Sequence, residues 1–294
     1  MSEHEETFQI AIGGLSEPGA DWMSASQLRG LPADPILTWL HYHGEAVGFE
    51  KDESPYSFQE FIFEKGNQFE AKWVAEMAPE AVRICQSGAD VRNWEKVRET
   101  WDLMRAKTPV IFQAPLWWAP EKICGIADLV VHSGWLREKF PDCIDANAAA
   151  KTATNLSWTG GDGHYLIIDI KFTTNLDAAS KAQDMVSNSN QVRVYSYMLG
   201  SLQGLMPADA YLIQRRPLDE PLPVAVLSTL GASLDPDISA IRDWHTDVKL
   251  NGASWEPWNM PEMQPNMSND NDAPWHSAKK KISEEYVPGQ ELTS

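Results

Sequence analysis

The sequence has few cysteines, and they lie far apart. Cys85, Cys124 and Cys143 are the only three in 294 residues, and no two of them form a C-x-x-C pair. Structural zinc sites and redox couples use closely spaced cysteines, and disulfide frameworks use an even number of them. The sequence therefore predicts neither a zinc site nor a disulfide scaffold.

Long hydrophobic runs are missing as well. No stretch approaches the roughly 20 apolar residues that a bilayer requires, and residues 1–7 are acidic where a signal sequence would be basic. We therefore expect no membrane association. The expected location is the cytoplasm, for a cellular protein or for an intracellular protein encoded by a phage or virus.

Basic residues are scarce relative to acidic ones. The chain has 24 Lys and Arg against 42 Asp and Glu, which gives a net charge of −18. Such a balance disfavours a protein that holds nucleic acid through a global positive field, although a local basic groove is compatible with it. The composition is otherwise that of a globular protein, and the length fits one large domain or two smaller ones.

Apolar periodicity predicts helices in the first third of the chain. Residues 58–77 carry apolar side chains at three- and four-residue spacing, which predicts an amphipathic helix ending before Pro79. The same spacing predicts a helix over about 89–105. One or two capped helices are expected over 24–40, and residues 8–12 are predicted to form a strand or arm followed by a loop.

Beyond Pro109, short apolar bursts replace the helical period and predict strands. These strands are expected at residues 110–112, 116–118, 123–131, 165–172, 210–214 and 224–227, with helices over about 178–202 and 235–250. The predicted fold is therefore α/β, with a central mixed sheet flanked by helices and an N-terminal helical region. The expected organisation is an arm over 1–20, one domain over 21–250 with an insert at about 133–163, and a loop-rich tail over 251–294.

Two of the predicted strands carry a carboxylate among apolar residues. Asp169 and Lys171 share one face of the strand at 165–172 because side chains alternate along a strand, and Asp128 interrupts the strand at 123–131. Burying a charge is costly unless it is paired or binds a metal. An ion pair on a solvated face would explain the first strand, and a turn cap or an edge position would explain Asp128. Their coincidence favours a hard cation such as Mg²⁺, which takes oxygen ligands.

Polar residues also mark two of the predicted helices. Glu70 lies three residues before Trp73, on or beside the apolar stripe of its helix, and Gly66 precedes it by one turn. Glycine costs about 1 kcal/mol inside a helix, so Gly66 predicts a close backbone approach. Gln191 and Tyr195 are four residues apart and share a helix face. The alternatives are a Glu at the edge of the stripe and a surface Gln and Tyr.

The order of these motifs resembles that of the PD-(D/E)XK nuclease superfamily, and within it the RecB-like exonuclease branch. The motifs are Gly66-x-x-x-Glu70, Gly125-x-x-Asp128, Asp169-x-Lys171 and Gln191-x-x-x-Tyr195, preceded by Ser24-x-Ser26-x-Leu28. The resemblance covers about residues 24–216 and implies a restriction-endonuclease-like core. Some members bind an iron–sulfur cluster through four cysteines, which three scattered cysteines cannot reproduce, so no such cluster is expected.

The resemblance implies a role for each motif residue. Asp128 matches the first aspartate of the superfamily, Asp169 its second acid and Lys171 its lysine. The implied catalytic set is Lys171, Asp169, Asp128, Glu70, Gln191 and Tyr195. One or two Mg²⁺ or Mn²⁺ ions would be held by Glu70, Asp128, Asp169 and the backbone carbonyl of Ile170. Lys171 would orient or deprotonate a water molecule or stabilise the phosphoryl centre, and Gln191 and Tyr195 would position Lys171 or contact the strand being cut.

The function implied by the resemblance is that of a metal-dependent deoxyribonuclease in DNA repair or recombination. We expect an exonuclease or a single-strand-acting enzyme whose partner is DNA that is single-stranded or has free ends. One alternative is a structure-specific endonuclease on the same fold. Another is a non-catalytic module that binds DNA or a partner, as part of a larger protein or complex, and a third is an α/β protein whose acids form ordinary ion pairs.

Candidate DNA contacts lie close to these motifs in the sequence. Arg193, Arg215 and Arg216 are predicted to meet phosphates, with solvated surface arginines as the alternative. Trp117 and Trp118 are predicted to stack on unpaired bases. The alternative for this pair is that one ring lies in the core.

Overall fold

The computed structural model describes residues 3–14, 18–19, 21–29, 35–49, 58–156, 162–172, 178–214, 224–225 and 236–260. The chain divides into two compact units, a larger one formed by residues 1–30 and 55–240 and a smaller one formed by 31–54 and 241–294. This division assigns residues 31–54 and 241–250 to the smaller unit, whereas the sequence predicted a single domain over 21–250. Most of the predicted tail lies outside the described residues.

Eight α-helices and seven strands make up the regular structure of the described residues. The helices are α1 (Glu3–Ala11), α2 (Pro35–His43), α3 (Phe58–Met77), α4 (Trp94–Arg105), α5 (Ser133–Lys139), α6 (Ala146–Ala149), α7 (Ala178–Gln203) and α8 (Pro236–Asn251). The strands are β1 (Met23–Ser24), β2 (Val82–Arg83), β3 (Val110–Trp118), β4 (Ile123–His132), β5 (Tyr165–Lys171), β6 (Tyr211–Gln214) and β7 (Val224–Ala225). Within this part of the chain, no helix has the length and apolar character to span a membrane.

All seven strands belong to one mixed sheet. Its order is β2-β3-β4-β5-β6-β7, and β1 pairs with β4 beside this path. The pairs β1–β4, β2–β3 and β5–β6 are parallel, and β3–β4, β4–β5 and β6–β7 are antiparallel. The predicted α/β class with a mixed sheet flanked by helices is confirmed.

Two helices were predicted from apolar periodicity over residues 58–77 and 89–105. The helix predicted over 58–77 is α3, whose Trp73 and Val74 are buried. The helix predicted over 89–105 is broken into a 3₁₀ helix (Gly88–Arg92) and α4. Asn93 causes the break, because its backbone is extended and its side chain caps α4 by accepting a hydrogen bond from the Glu95 amide.

The strand or arm predicted over residues 8–12 is wrong, because these residues belong to α1 and the turn after it. Phe8 and Ile12 are fully buried, and the ring of Phe8 lies 5.7 Å from that of Trp101 between centroids. Phe8, Ala11 and Ile12 are spaced as one face of a helix. Four apolar residues in a stretch of five are too few to distinguish this spacing from a strand.

The central strands are longer than predicted. Residues 110–112 and 116–118 belong to one strand, β3, which continues through Gln113 and Pro115. The predicted insert over 133–163 contains α5 and α6 and joins the antiparallel neighbours β4 and β5. Leu129 and Ile168 face each other across these strands and belong to the main core of the larger unit, which also contains Trp73 of α3.

The smaller unit has a core of its own. Trp39 of α2 donates a hydrogen bond from Nε1 to the carbonyl of Gly252 at 2.7 Å, and its ring packs edge-on against Trp258. A ring nitrogen of His43 lies 2.7 Å from the carbonyl of Val248. These contacts join α2 to the end of α8 and the turns after it.

Candidate active site

The strand register brings two carboxylates side by side. Leu129 pairs with Ile168 across β4 and β5, so the next step of the register sets Asp128 opposite Asp169. Opposed residues on neighbouring antiparallel strands have Cβ atoms about 5 Å apart. Asp128 Oδ2 accepts a hydrogen bond from the backbone amide of Ile170 at 2.7 Å. The two acids predicted from separate motifs therefore meet at one point of the sheet.

Lys171 is anchored to the second of these acids. Its Nζ lies 2.7 Å from Asp169 Oδ2, and the side chains of Asp169 and Lys171 are 1% and 21% exposed. Neither carboxylate oxygen of Asp169 accepts a well-aligned hydrogen bond from a described residue, although Oδ2 is in ion-pair contact with the lysine. The negative charge of the buried Asp169 carboxylate is thus offset by the ammonium group of Lys171.

Glu70 joins the site from α3 through a residue that the sequence analysis missed. The carboxylate of Glu70 accepts a hydrogen bond from Nε2 of Gln113. Gln113 lies in β3 at the position opposite Asp128 and has a left-handed backbone, with φ of 54°. It is the only polar side chain between residues 110 and 118. An isolated polar residue in an apolar strand was the signal that could have identified it.

The pair predicted on the next helix is also buried at the site. Gln191 Nε2 donates a hydrogen bond to the hydroxyl of Tyr195 at 3.3 Å. Gln191 Oε1 has no hydrogen-bond partner within the described ranges. Burial, followed by the charges of Asp169 and Asp128, raises the pKa of Tyr195, so its hydroxyl stays protonated.

A cleft of about 740 Å³ gives access to these residues. Glu70, Asp128, Lys171 and Tyr195 line it, and Asp169 and Gln191 lie behind that lining. The residues of the opening motif, Ser24 and Ser26, line it too, and their hydroxyl oxygens are 2.9 Å apart.

Arg29 adds a second cation to the cleft. Its Nη2 donates to Asn188 Oδ1 at 2.7 Å, and its carbonyl accepts from Asn190 Nδ2 at 3.0 Å. Arg29 and Asn188 both line the cleft. They are 159 positions apart in the chain, so no local pattern could have paired them.

Burial and mutual repulsion govern the charges of the site. Burial, followed by the charge of Asp169, raises the pKa of Asp128 well above its usual range. Burial also raises the pKa of Glu70, against the effect of the hydrogen bond from Gln113. Burial alone would lower the pKa of Lys171, but the charges of Asp169 and Asp128 outweigh it and raise that pKa. Lys171 is therefore protonated at neutral pH.

No family model matches this chain, and no curated protein matches it. The functional assignment therefore rests on the chemistry of the cleft. Among the described residues, that chemistry comprises an acid pair between strands, a third acid on α3, an anchored lysine and a buried tyrosine.

The oxygen donors of the cleft fit a hard cation in their chemistry. Glu70, Asp128, Asp169 and the carbonyl of Ile170 are the kind of ligand that Mg²⁺ and Mn²⁺ prefer. Across the described part of the chain, however, no three His, Cys, Asp or Glu side chains are grouped so as to hold one metal ion. A cation that uses all three carboxylates must therefore draw them closer together than they are in the structure.

The predicted stacking role of Trp117 is wrong. Its side chain is 1% exposed, its Nε1 donates to the carbonyl of Val91, and its ring packs edge-on against Trp22. A ring in the core has no face to offer a base. Trp118 is half-buried, and its ring stacks on Tyr197 at 5.8 Å between centroids.

Of the three arginines predicted to contact phosphates, the structure describes one. Arg193 is half-buried on α7 and is not one of the described residues that line the cleft. Arg215 and Arg216 lie outside the described residues.

The two motif glycines differ in their surroundings. A Cβ built on Gly66 would meet nothing closer than Phe172 Cβ at 3.9 Å, so the close backbone approach predicted there is wrong. A Cβ on Gly125 would lie 2.7 Å from Tyr195 Cε1 and 3.2 Å from the Cβ of Ala25. Gly125 therefore lets the buried tyrosine pack directly against β4.

Replacing Gly125 by valine is expected to lower the free energy of unfolding by about 1–3 kcal/mol, because the new side chain must displace the Tyr195 ring. Urea denaturation of the variant and its parent measures the difference. Gly66→Ala is the matched control, for which we expect unchanged or slightly higher stability because the helix gains propensity. Equal unfolding midpoints for Gly125→Val and the parent would contradict the packing described here.

Proposed function

We propose that this protein is a metal-dependent DNA nuclease with a PD-(D/E)XK core of the restriction-endonuclease type. The observation that carries the proposal is the convergence of Glu70, Asp128, Asp169 and Lys171 on one cleft, from α3, β4 and β5. These are four of the six residues in the catalytic set that the resemblance implies. Their arrangement on a mixed sheet is consistent with that core.

The carboxylates and the carbonyl of Ile170 are the residues that would hold one or two Mg²⁺ or Mn²⁺ ions. When bound, such an ion lowers the pKa of a water ligand and offsets the charge of the phosphodiester. Ionised carboxylates are required for this, since protonated ones are poor ligands. The repulsion among Asp128, Asp169 and Glu70 also favours the arrival of a positive charge.

Lys171 is assigned electrostatic stabilisation. Burial would lower the pKa of Lys171, but without a bound metal the charges of Asp169 and Asp128 raise it, so the ammonium group is charged at neutral pH. Held by Asp169 and partly exposed to the cleft, it can stabilise the negative charge that builds on the phosphoryl oxygens. Tyr195, held by Gln191, can donate a hydrogen bond toward the same space.

The size of the cleft favours a single strand as substrate. A volume of about 740 Å³ lies within the range found for small-ligand sites. Such a space accommodates a short stretch of one strand more readily than both strands of a duplex. We therefore propose that the enzyme acts on single strands or on ends that fray.

A non-catalytic module that binds DNA or a partner is the second candidate. It is favoured by the absence, among the described residues, of three acids grouped around one metal position. The net charge of −18 disfavours tight, purely electrostatic binding of DNA. The charge therefore favours the partner-binding form of this module over its DNA-binding form.

Cleavage of end-labelled DNA distinguishes these candidates. Linear single strands, linear duplexes and a closed circle are incubated with Mg²⁺, Mn²⁺ or EDTA. We expect cutting of the linear single strand with either metal and no cutting in EDTA or of the circle. Cutting of the circle would identify an endonuclease. A folded protein that binds DNA but cuts nothing with either metal would establish the binding module instead.

The pH dependence of cleavage should follow the carboxyls. Because the pKa values of Asp128 and Glu70 are raised, protons compete with the metal at a higher pH than they would for ordinary carboxyls. We expect the cleavage rate to fall as the pH is lowered through these raised values, and more Mn²⁺ to shift the fall to lower pH. Rate–pH profiles at two Mn²⁺ concentrations measure this. Profiles that superimpose would show that these carboxyls do not bind the metal.

A further inference from the structure

A second cavity, of about 430 Å³, adjoins the cleft. Phe63, Asn67, Glu70 and Gln113 line both cavities. The two are therefore contiguous, and a chain that enters the cleft can continue into the second space. This volume lies within the range of roughly 300–1,000 Å³ found for small-ligand sites. We call it the side pocket.

Arg83 gives the side pocket a positive charge. Its Nε donates to the carbonyl of Cys85 at 2.9 Å, and its guanidinium lies 5.0 Å from the centroid of the Phe112 ring. These contacts fix the head group by its inner nitrogen and by its flat face. Its terminal nitrogens, which have no hydrogen-bond partner among the residues described, form the fork that binds phosphate oxygens in pairs.

Arg83 shares the lining of the side pocket with Glu70, which also lines the cleft. A guanidinium in this lining offsets the negative charge of the carboxylate there. Arg83 therefore makes this part of an acidic protein suitable for an anion.

Phe63 supplies an aromatic surface at the same place. Its side chain is 65% exposed and lines both cavities. Exposed aromatic rings next to a cationic groove are the platform on which proteins stack unpaired bases. Phe61, on the same helix, is 51% exposed but lines neither cavity. Phe63 is thus distinguished by its position as well as by its exposure.

The far wall of the side pocket is held in place within the protein itself. Asp90 Oδ2 accepts hydrogen bonds from the backbone amides of Gln86 at 2.7 Å and Ser87 at 3.1 Å. Gln86 and Ser87 both line the side pocket. A wall fixed in this way loses little conformational entropy when a ligand binds.

We propose that the side pocket binds one nucleotide of a single DNA strand, adjacent to the bond being cut, with its base on Phe63 and its phosphate on Arg83. The proposal rests on the proposed function, which it deepens by naming the feature that selects single strands. Stacking on Phe63 requires a base that is free of its partner strand. Because every base has a stacking face, this binding tolerates any sequence.

Binding of single strands in EDTA tests the side pocket without turnover. The probes are a fluorescein-labelled oligodeoxyadenylate and an abasic oligonucleotide of equal length, measured by anisotropy with the full chain. We expect Phe63→Ala to weaken binding of the oligodeoxyadenylate roughly 5- to 100-fold and to leave abasic binding unchanged. We expect Arg83→Gln to weaken binding of both by roughly tenfold or more. Phe61→Ala and Arg92→Gln are the matched controls.

The outcomes separate the side pocket from the catalytic proposal. If Phe63→Ala and Arg83→Gln bind like their controls while the parent cleaves with metal, the side pocket is wrong and the nuclease assignment stands. If the parent cleaves nothing but the two variants lose binding as described, the side pocket stands and the nuclease assignment falls. Equal loss of both probes in Phe63→Ala would overturn the stacking role.

Discussion

Replacing Lys171 by alanine is expected to lower metal-dependent cleavage by about 10²–10³-fold, since on the proposed function it removes the positive charge that would face the reacting phosphate. The same change leaves the Asp169 carboxylate buried without its partner. Breaking a buried ion pair from one side costs about 3–5 kcal/mol, so we also expect a clear loss of stability. Cleavage rates and denaturation midpoints measure the two effects separately.

A double variant separates folding from chemistry. In Lys171→Met with Asp169→Asn, both charges are gone, so we expect most of the lost stability to return and cleavage to stay absent. Lys72→Ala is the control, because Lys72 is exposed and only loosely paired with Glu76 at 3.8 Å. If Lys171→Ala, still folded at the assay temperature, cleaves like Lys72→Ala, then Lys171 has no part in the reaction.

Replacing Asp128 by asparagine is expected to change activity and stability in opposite directions. On the proposed function, cleavage should fall at least about 10²-fold, because a carboxylate that would hold the metal is lost. In EDTA the unfolding temperature should rise by about 2–4 °C, which corresponds to about 1 kcal/mol. The amide oxygen of asparagine can still accept the hydrogen bond from Ile170, and the buried negative charge is removed.

The direction of the stability change follows from proton linkage. The pKa of Asp128 in the folded protein lies above that of an exposed carboxyl, so the folded state holds its proton more tightly than the unfolded chain. Its stabilising contribution is present below the ordinary carboxyl pKa and is lost as the pH rises through the raised value. The gain from Asp128→Asn should therefore grow with pH over that interval and vanish in acid.

Thermal denaturation across a pH series, with and without Mg²⁺, measures this prediction. The parent should gain stability from Mg²⁺, since a ligand that binds only the folded state raises its melting temperature, and Asp128→Asn should gain less. Asp142→Asn, at an exposed position, is the control. A lower melting temperature for Asp128→Asn in EDTA at neutral pH would contradict the charge repulsion inferred at the site.

The site residues that the sequence predicted are those that belong to local patterns, such as the alternation of a strand or the spacing of a helix. Alternation along a strand identified Asp169 and Lys171 as neighbours on one face, and the structure places them in ion-pair contact. An acid within an apolar strand identified Asp128. Helical spacing predicted α3, which carries Glu70 to the cleft.

The parts that the sequence could not predict depend on contacts between distant segments. Gln113 and Glu70 are hydrogen-bonded although they are 43 positions apart in the chain. The backbone of Gln113 is left-handed, and no residue pattern in the sequence predicts that conformation. Trp117 and Trp118 look alike in the sequence, and only packing against Trp22 decides that Trp117 is in the core. Alternation alone could not say which member of a Trp pair faces inward.

The contact between Arg29 and Asn188 also has a bearing on how the protein is made. Part of the cleft lining comes from the first thirty residues and is hydrogen-bonded to α7, which is synthesised long afterwards. During synthesis at about 5–20 residues per second, the early segment waits on the order of ten seconds for its partner. A growing chain on the ribosome thus carries Asp128 of β4 before the α7 part of the cleft lining has been made. On the proposed function, a nascent nuclease would be harmless to nearby nucleic acid until α7 has been completed.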